Sequence, residues 1–202
     1  MSKLYKLGVI GDPIEHSLSP FIHSRFSRNE NINIEYLPYK ISDADFMSFI
    51  DEFFSDKLSK GLNVTLPHKK LAAQIKGEIS KEASYINAVN TIVNERNSLF
   101  LYSTDGIGFL NDMDNKGFNF KNKNILMIGA GAAMESVLYR VAQAGVKSIT
   151  LINRTQEKAD RLIRKFSSII SISSEIVSKS TFDLVINGSS AGLTGNFKPI
   201  EN

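Results

Sequence analysis

Cysteine is absent from the 202 residues of the chain. This absence excludes disulfide bonds, thiolate metal sites and a cysteine nucleophile, and it fits a reducing compartment. No apolar run approaches the roughly 20 residues that a membrane-spanning helix needs. The first residues, Met-Ser-Lys-Leu-Tyr-Lys, also lack the apolar core of a signal peptide. We therefore expect a cytoplasmic protein that makes no contact with membranes.

Blocks of like charge are also lacking. Lys and Arg number 24 and Asp and Glu 21, for a net charge of +3 and a pI near 9.0, and the two signs are interleaved, so nucleic acid is not an expected partner. The three histidines, His16, His23 and His68, lack metal-ligand spacing, and no metal is expected. A hydrophobic content of 42% suffices for one large or two small cores. Both a monomer and a homodimer stay open.

We expect the residues that carry the chemical function to lie in the stretch 61–70. Apolar residues alternate there with Asn63 and Thr65, which predicts a short strand with two polar side chains on one face. A proline then predicts a helix over 68–75 whose first turn holds two lysines. Because a helix N-terminus is partly positive, a cation there gives up about 0.3–1 kcal/mol relative to an anion. The lysines are either solvated surface charges or residues with a separate function.

Four more polar residues attract attention. Ser19 is a natural N-cap for a helix over 20–29, whereas capping does not explain Ser17, and two hydroxyls at this spacing could hold a carboxylate at the helix start. Asn90 interrupts an apolar run, so it either faces solvent or meets a partner inside the protein. Asp105 is a good N-cap for a helix over 106–116 and could serve as that alone.

The order of elements predicts two domains. Strands and helices alternate through the first part of the chain, which favours a small α/β domain with a mainly parallel sheet, followed by a hairpin around 95–98. A polar, glycine-containing segment over 117–123 then precedes a change of pattern. We place the first domain at 1–105, a connecting helix and linker at 106–123, and the second domain at 124–202.

The second domain begins with the signature of a dinucleotide-binding fold. A buried strand over 124–128 leads directly into a glycine turn and a helix that ends near Gly145, an arrangement that brings pyrophosphate against backbone amides. The predicted phosphate-binding residues are Gly129, Ala130, Gly131, Ala132 and Ala133. Met134 stands where a third glycine is expected, so we expect the helix to approach the strand less closely than in the strict fingerprint.

The next strand, 148–152, ends in Asn153, Arg154 and Thr155. An NAD-binding protein would carry an acidic residue near this place to bond the ribose hydroxyls. Arg154 instead favours the 2′-phosphate of NADP, and Lys158 adds positive charge one turn later. The alternative is that the basic residues here form only a solvated helix face.

Two further strands are predicted over 169–172 and 182–186. The loop 187–192, with Asn187 and Ser189, would lie at the carboxyl end of the last strand, over the cofactor crevice. A complete doubly wound domain normally has about two more strands with their helices. We therefore expect a Rossmann-like domain that is incomplete at its C-terminal end.

Six short motifs, taken together, resemble the shikimate dehydrogenase family in order and spacing. They are His16-Ser-Leu-Ser-Pro, Asn63-Val-Thr-Leu-Pro-His-Lys, Asn87-Ala-Val-Asn-Thr, Ser103-Thr-Asp-Gly-Ile-Gly, Gly129-Ala-Gly and Asn153-Arg-Thr. Each motif is weak alone, but jointly they are specific and span essentially the whole chain. The resemblance implies an N-terminal substrate-binding domain, a Rossmann NADP-binding domain and a cleft between them. It also implies NADPH-dependent reduction of 3-dehydroshikimate to shikimate in aromatic amino-acid biosynthesis.

The resemblance also implies individual roles. The residues that would contact the small-molecule substrate are Ser17, Ser19, Asn63, Thr65, Lys69, Asn90 and Asp105. Lys69, chosen over Lys70 by the family spacing, and Asp105 would form the catalytic pair. Hydride reduction of a ketone leaves an alkoxide, which a cationic lysine can stabilise and protonate while a carboxylate orients it.

Other functions stay open at this stage. Family members carry a C-terminal segment that completes the Rossmann sheet, so one alternative is a shikimate-binding module with weak or no dehydrogenase activity. A quinate/shikimate enzyme that prefers NAD is a nearer variant, against which Arg154 argues. A methylene-tetrahydrofolate dehydrogenase is more distant, and the paired serines disfavour it.

Overall fold

The computed structural model describes residues 3–176 and 180–189, and the chain divides between Thr104 and Asp105 into two compact units. The elements of the first unit are β1 (Tyr5–Gly11), α1 (Ser19–Glu30), β2 (Ile34–Lys40), α2 (Phe46–Ser55), β3 (Ser59–Val64), α3 (Lys69–Ala72), β4 (Glu78–Ile79), α4 (Lys81–Ile86), β5 (Thr91–Glu95) and β6 (Ser98–Tyr102). Those of the second unit are α5 (Asp105–Asn115), β7 (Asn124–Ile128), α6 (Ala132–Gln143), β8 (Ser148–Ile152), α7 (Gln156–Phe166), β9 (Ile172–Ser173) and β10 (Leu184–Asn187). The predicted α/β class is confirmed.

The first unit is built on a six-stranded mixed sheet in the order β2-β1-β3-β5-β6-β4. β1 runs parallel to β2 and to β3, and β4 runs parallel to β6, whereas β5 is antiparallel to both of its neighbours. The predicted hairpin joins β5 to β6 through Arg96 and Asn97, whose φ angles are 51° and 65°. Two consecutive positive φ values are typical of the type I′ turn, whose twist matches that of the strands.

The core of the first unit lies between α2 and the sheet. Phe46 and Ile50 are the buried residues of α2, and they pack with Ile10, Leu62 and Ile92 from the central strands. The other phenylalanines of α2 are partly buried against the same cluster. Helical spacing brings these side chains to one face of α2, and that face packs on the core.

The turn that carries the two lysines is shorter than predicted. The expected helix over 68–75 is the four-residue α3, Lys69–Ala72. The carbonyl of Lys69 accepts a hydrogen bond from the amide of Val89 at 2.8 Å, where a longer helix would offer it to the amide of Ala73. A tertiary hydrogen bond therefore replaces the next helical one, and it ties α3 to the segment before β5.

The second unit contains a four-stranded parallel sheet in the order β10-β7-β8-β9, with α6 between β7 and β8 and α7 between β8 and β9. β7 and β8 occupy the predicted ranges. β9 is displaced toward the C-terminus relative to the prediction and has only two residues, while β10 begins at Leu184. Strand, glycine turn and helix follow one another as a Rossmann-like fold requires. The division of the chain also places Asp105 and all of α5 in this unit.

Replacing Gly106 with alanine should destabilise the second unit. The amide of Gly106 donates to Ser136 Oγ at 2.8 Å, and a Cβ atom at Gly106 would overlap the backbone carbonyl oxygen of Ser136 on α6. Overpacking of this kind costs about 1–3 kcal/mol, measured as a lower denaturant midpoint. Gly108→Ala is the matched control, because a Cβ there would meet nothing within 4 Å. Equal midpoints for both variants would contradict the close contact.

Candidate active site

Polar side chains of the first unit meet where β3 ends and β5 begins. Tyr36 on β2 donates through its hydroxyl to Asn63 Oδ1 at 2.8 Å. The Asn63 amide nitrogen lies 3.4 Å from Thr91 Oγ1, and this hydroxyl donates to Asn90 Oδ1 at 2.9 Å. Three strands thus contribute to one continuous chain of hydrogen bonds.

Asn90 is the second node of this chain. Besides the Thr91 hydroxyl, Asn90 Oδ1 accepts from the amide of Thr104 at 3.0 Å and from its hydroxyl at 3.1 Å. Of the two interpretations left open by the sequence, the one in which Asn90 meets partners within the protein is correct. The three donors fix the orientation of the side chain, because only its oxygen can accept them.

The two serines have roles opposite to those predicted from capping. Helix α1 begins at Ser19 with Leu18 in the N-cap position and without a side-chain cap from that residue, so the assignment of Ser19 as N-cap is wrong. Ser17 Oγ instead accepts from the amide of Ser19 at 3.3 Å, and it serves the start of the helix. Burial raises the pKa of Tyr36 to about 12, and the Ser19 hydroxyl partly opposes this effect.

The resulting network runs from Tyr36 through Asn63, Thr91 and Asn90 to Thr104. Hydrogen bonds connected in series polarise and orient one another, which favours one fixed arrangement of donors and acceptors. The network joins two residues predicted to contact substrate, Asn63 and Asn90. We call it the polar network.

Three members of the polar network were not predicted. Thr91 and Thr104 are directly beside Asn90 and Asp105 in the chain, so the motifs contained a signal for them. Tyr36 carried no such signal, because its contact with Asn63 depends on how β2, β1 and β3 align in the sheet.

Thr65 and Lys69 follow β3 on the turn into α3. The carbonyl of Thr65 accepts from the amide of His68 at 3.0 Å, and the bond from Val89 holds the carbonyl of Lys69. Lys69 is half-buried, whereas Lys70 is exposed. Burial thus distinguishes the two lysines on physical grounds, which the residue pattern alone did not do. Asp105, the other predicted catalytic residue, opens α5 in the second unit and is half-buried.

The glycine turn after β7 leads directly into the N-terminus of α6. Gly129 has a φ of 113°, and a Cβ there would lie 3.0 Å from the carbonyl of Gly188. At Gly131, the N-cap of α6, a Cβ would meet nothing within 4 Å, so the space next to this residue is open. These residues fit an anionic dinucleotide, which binds at such a helix start.

Met134, in the place of the expected third glycine, is buried with 2% of its surface exposed. Its terminal methyl fills the space that a Cβ at Gly188 would occupy. The glycine at 188 therefore accommodates the larger side chain of the helix.

The basic residues of α7 and the loop before it fall into two groups. Arg161 Nη2 and Lys165 Nζ contact the buried Glu135 carboxylate at 3.0 and 2.7 Å. Arg154 and Lys158 are exposed, and within residues 3–176 and 180–189 neither forms a salt bridge. The basic residues therefore do not form one uniformly solvated face. Arg154 and Lys158 remain available to bind a phosphate.

The remaining predicted cofactor residues form local turns. Asn153 Nδ2 donates to the carbonyl of Thr155 at 2.8 Å. Asn187 Oδ1 accepts from the amide and the hydroxyl of Ser189 at 3.1 and 2.8 Å. The rest of the predicted loop, 190–192, lies outside the described residues.

Among the described residues, a surface groove, the acidic and histidine side chains and the helices were each compared with what a substrate site, a metal site and a membrane span need. A groove of about 700 Å³ lies between α2 and the β5–β6 hairpin, with Phe54, Lys57, Lys76 and Asn94 in its lining, and none of the predicted substrate residues lines it. No three acidic or histidine side chains in the described ranges could share a metal ion. No helix there is long and apolar enough to cross a bilayer.

A Rossmann-like unit together with an α/β unit that holds a polar network is typical of a two-domain nucleotide-dependent protein. Two family models match the chain, the shikimate dehydrogenase substrate binding domain over residues 9–92 and shikimate / quinate 5-dehydrogenase over 112–192. The chain belongs to the shikimate dehydrogenase family.

Individual relatives agree with this assignment. Shikimate dehydrogenase (NADP(+)) of Nitrosopumilus maritimus is 36% identical over 199 residues, which are 95% of this chain and 72% of that protein. The crystal structure of the Aquifex aeolicus shikimate dehydrogenase matches with a TM-score of 0.86 and 33% identity over 96% of this chain and 71% of its own. The Thermus thermophilus enzyme, solved with NADP(H) and shikimate, matches with a TM-score of 0.82 and 28% identity over 92% and 68%.

Proposed function

We propose that this protein is a cytoplasmic enzyme that reversibly reduces 3-dehydroshikimate to shikimate with NADPH. The observation that carries the proposal is the polar network beside the half-buried Lys69. A substrate with one carboxylate and several hydroxyls needs donors and acceptors held in fixed positions, and the network supplies them from neighbouring strands and loops.

The substrate would bind to the first unit. Ser17 and Ser19 lie at the start of α1, where hydroxyls and helix amides favour a carboxylate. Asn63, Thr65 and Asn90 would meet the substrate hydroxyls, because amide and hydroxyl groups both donate and accept. Tyr36 would support these residues by bonding to the Asn63 side-chain oxygen, so that the Asn63 amide nitrogen faces away from Tyr36.

Lys69 and Asp105 would perform the proton chemistry. When NADPH is bound, its nicotinamide supplies the hydride. Lys69 then stabilises the alkoxide that forms at the former ketone carbon and delivers a proton to its oxygen. Asp105, as a carboxylate, would orient the ammonium group. In the reverse direction, the same lysine accepts the hydroxyl proton as the hydride leaves.

The second unit would hold NADP. The backbone amides of Gly131 to Ala133, at the start of α6, would bind the pyrophosphate. Gly129 and Ala130 would shape the turn that leads to them. Arg154 would bind the 2′-phosphate, with Lys158 one turn further along α7. The remaining contacts to the cofactor would come from four residues that lie in local turns, Asn153, Thr155, Asn187 and Ser189.

Calorimetric titration together with an absorbance assay tests the proposed function. We expect this chain to bind shikimate and NADP saturably and to form NADPH when both are present. Shikimate binding without NADP binding would instead support a binding module with little activity. Failure to bind shikimate would overturn both. Parallel titrations with quinate and NAD would measure specificity for substrate and cofactor.

Changing Tyr36 to phenylalanine should weaken substrate binding while the fold is retained. The variant removes the hydroxyl that donates to Asn63 Oδ1 and leaves that oxygen without its donor. One such hydrogen bond contributes about 0.5–1.5 kcal/mol, so we expect KM for shikimate to rise several-fold. Tyr39→Phe is the control, because Tyr39 lies on the same strand with its ring packed against Phe49 and Phe53. An unchanged KM in Tyr36→Phe would remove Tyr36 from the site.

A further inference from the structure

Helix α1 lies against β2, and the side of the helix that is partly covered carries one aromatic ring. Residues 19–30, all of which the structure describes, include no buried side chain. The half-buried ones form a single stripe of the helix, Ser19, Pro20, His23, Ser24 and Ser27. Serine and proline offer little contact area, so the packing of α1 on the sheet depends strongly on His23.

The ring of His23 lies flat on the ring of Tyr36, a residue of β2. Their centroids are 4.1 Å apart, with 9° between the planes. A second contact comes from Phe26, three residues further along α1, whose ring meets the imidazole at 79° with 5.6 Å between centroids. The imidazole of His23 is thus in contact with one ring from its own helix and with one ring from the sheet.

His23 makes this contact as an uncharged ring. Burial lowers the pKa of His23 below its ordinary value, which already lies below neutrality. The imidazole therefore carries no charge at neutral pH, and its contact with the phenol is one between two flat neutral rings. A different flat ring at position 23 should stack in the same way.

The stack matters for the polar network because Tyr36 is the first member of that network. The hydroxyl of Tyr36 donates to Asn63 Oδ1 at 2.8 Å. Rotation about χ1 of a tyrosine moves its phenol oxygen, and the plane of the ring sets the direction that the hydroxyl hydrogen prefers. A ring packed on Tyr36 restricts both, and a hydrogen bond weakens steeply when its angle is lost.

We propose that His23 is a positioning residue for the substrate site. Its ring, stacked on Tyr36, holds the Tyr36 hydroxyl against Asn63 and so keeps the Asn63 amide in the orientation that the substrate would meet. His23 itself would touch neither the substrate nor the cofactor. The effect on substrate binding rests on the proposed function, whereas the coupling between the His23 ring and the Tyr36–Asn63 bond does not.

Kinetics of a His23 variant in two backgrounds test this role. We expect His23→Ala to raise KM for shikimate several-fold and to leave kcat within about twofold, because Lys69 and Asp105 are unchanged. In Tyr36→Phe the hydroxyl is already missing, so adding His23→Ala should raise KM by less than about twofold, since residues that act as one unit are not additive. An equal factor in the two backgrounds would show that His23 does not act through Tyr36 and would overturn the proposal.

Two further variants separate stacking from helix stability. His23→Phe keeps a flat ring, so its KM should equal that of the parent, whereas His23→Leu fills the space without one and should raise KM as His23→Ala does. This pair also decides the question if His23→Ala fails to fold. Phe21→Ala removes an exposed ring from the same helix and should leave KM unchanged. Equal KM values for His23→Phe and His23→Leu would contradict the stacking role.

NMR of the Asn63 side-chain amide reports on the bond in the absence of turnover, with Asn63→Asp to assign its signal. We expect His23→Ala to move this signal toward its position in Tyr36→Phe, and His23→Phe to leave it where it is in the parent. An unmoved signal in His23→Ala would overturn the coupling. If the parent chain neither binds nor oxidises shikimate, the proposed function fails, but the amide signal still decides whether His23 holds the bond.

Discussion

Replacing Lys69 with alanine should lower kcat for shikimate oxidation by about 10²–10⁴-fold, the usual contribution of a positioned general acid or base. The Kd for shikimate should change only a few-fold, because the polar network that would bind the substrate does not include this side chain. Steady-state kinetics with NADP and calorimetry with shikimate would measure the two quantities on the same preparation.

Lys70→Ala is the matched control for this loss. Lys70 is the next residue on α3, but it is exposed where Lys69 is half-buried. We expect its kcat to stay within about twofold of the parent, in line with the small effects of surface substitutions. A parent-like kcat in Lys69→Ala, or an equal loss in both variants, would exclude Lys69 as the proton donor.

Replacing Arg154 with alanine should change cofactor preference. A hydrogen bond to a charged group contributes about 1.5–3 kcal/mol, so the Kd for NADP should rise by about one to two orders of magnitude. The Kd for NAD should hardly change, because NAD lacks the 2′-phosphate that Arg154 would bind. Fluorescence or calorimetric titration with each cofactor would give the ratio of the two affinities.

Arg164→Ala provides a control with the same change of charge. Arg164 lies in the last turn of α7, away from the strand end at which Arg154 stands. The general electrostatic attraction for an anionic cofactor is reduced equally in both variants. A similar loss of NADP affinity in each would therefore assign recognition to net charge and not to Arg154.

The sequence predicted best those elements whose residues respond to their immediate neighbours. β7 and β8 are apolar runs buried on both faces, as strands of parallel sheets are, and their limits were predicted to the residue. The hairpin turn at Arg96 and Asn97 was also predicted, because turn chemistry is a local property.

The errors arose where a distant group decided the outcome. The carbonyl of Lys69 on the short α3 accepts from Val89, and Asn63 on β3 accepts from Tyr36 on β2. The carbonyl of Ile41, which bonds to the buried ring of His68, is more than twenty positions away in the chain. None of these contacts follows from residue type or spacing, so the polar network could be listed only in part from the sequence.

The junction between the units has a consequence for recombination of genes in this family. Thr104 is bonded to Asn90 in the first unit, and Gly106 is bonded to Ser136 in the second. A chimaera joined between Thr104 and Asp105 would keep both sets of bonds and would inherit Lys69 from one parent and Asp105 from the other. A crossover only two residues later would pair Gly106 with a foreign α6. A crossover at this peptide bond would thus take the two proposed catalytic residues from different parents and leave the hydrogen bonds within each unit intact.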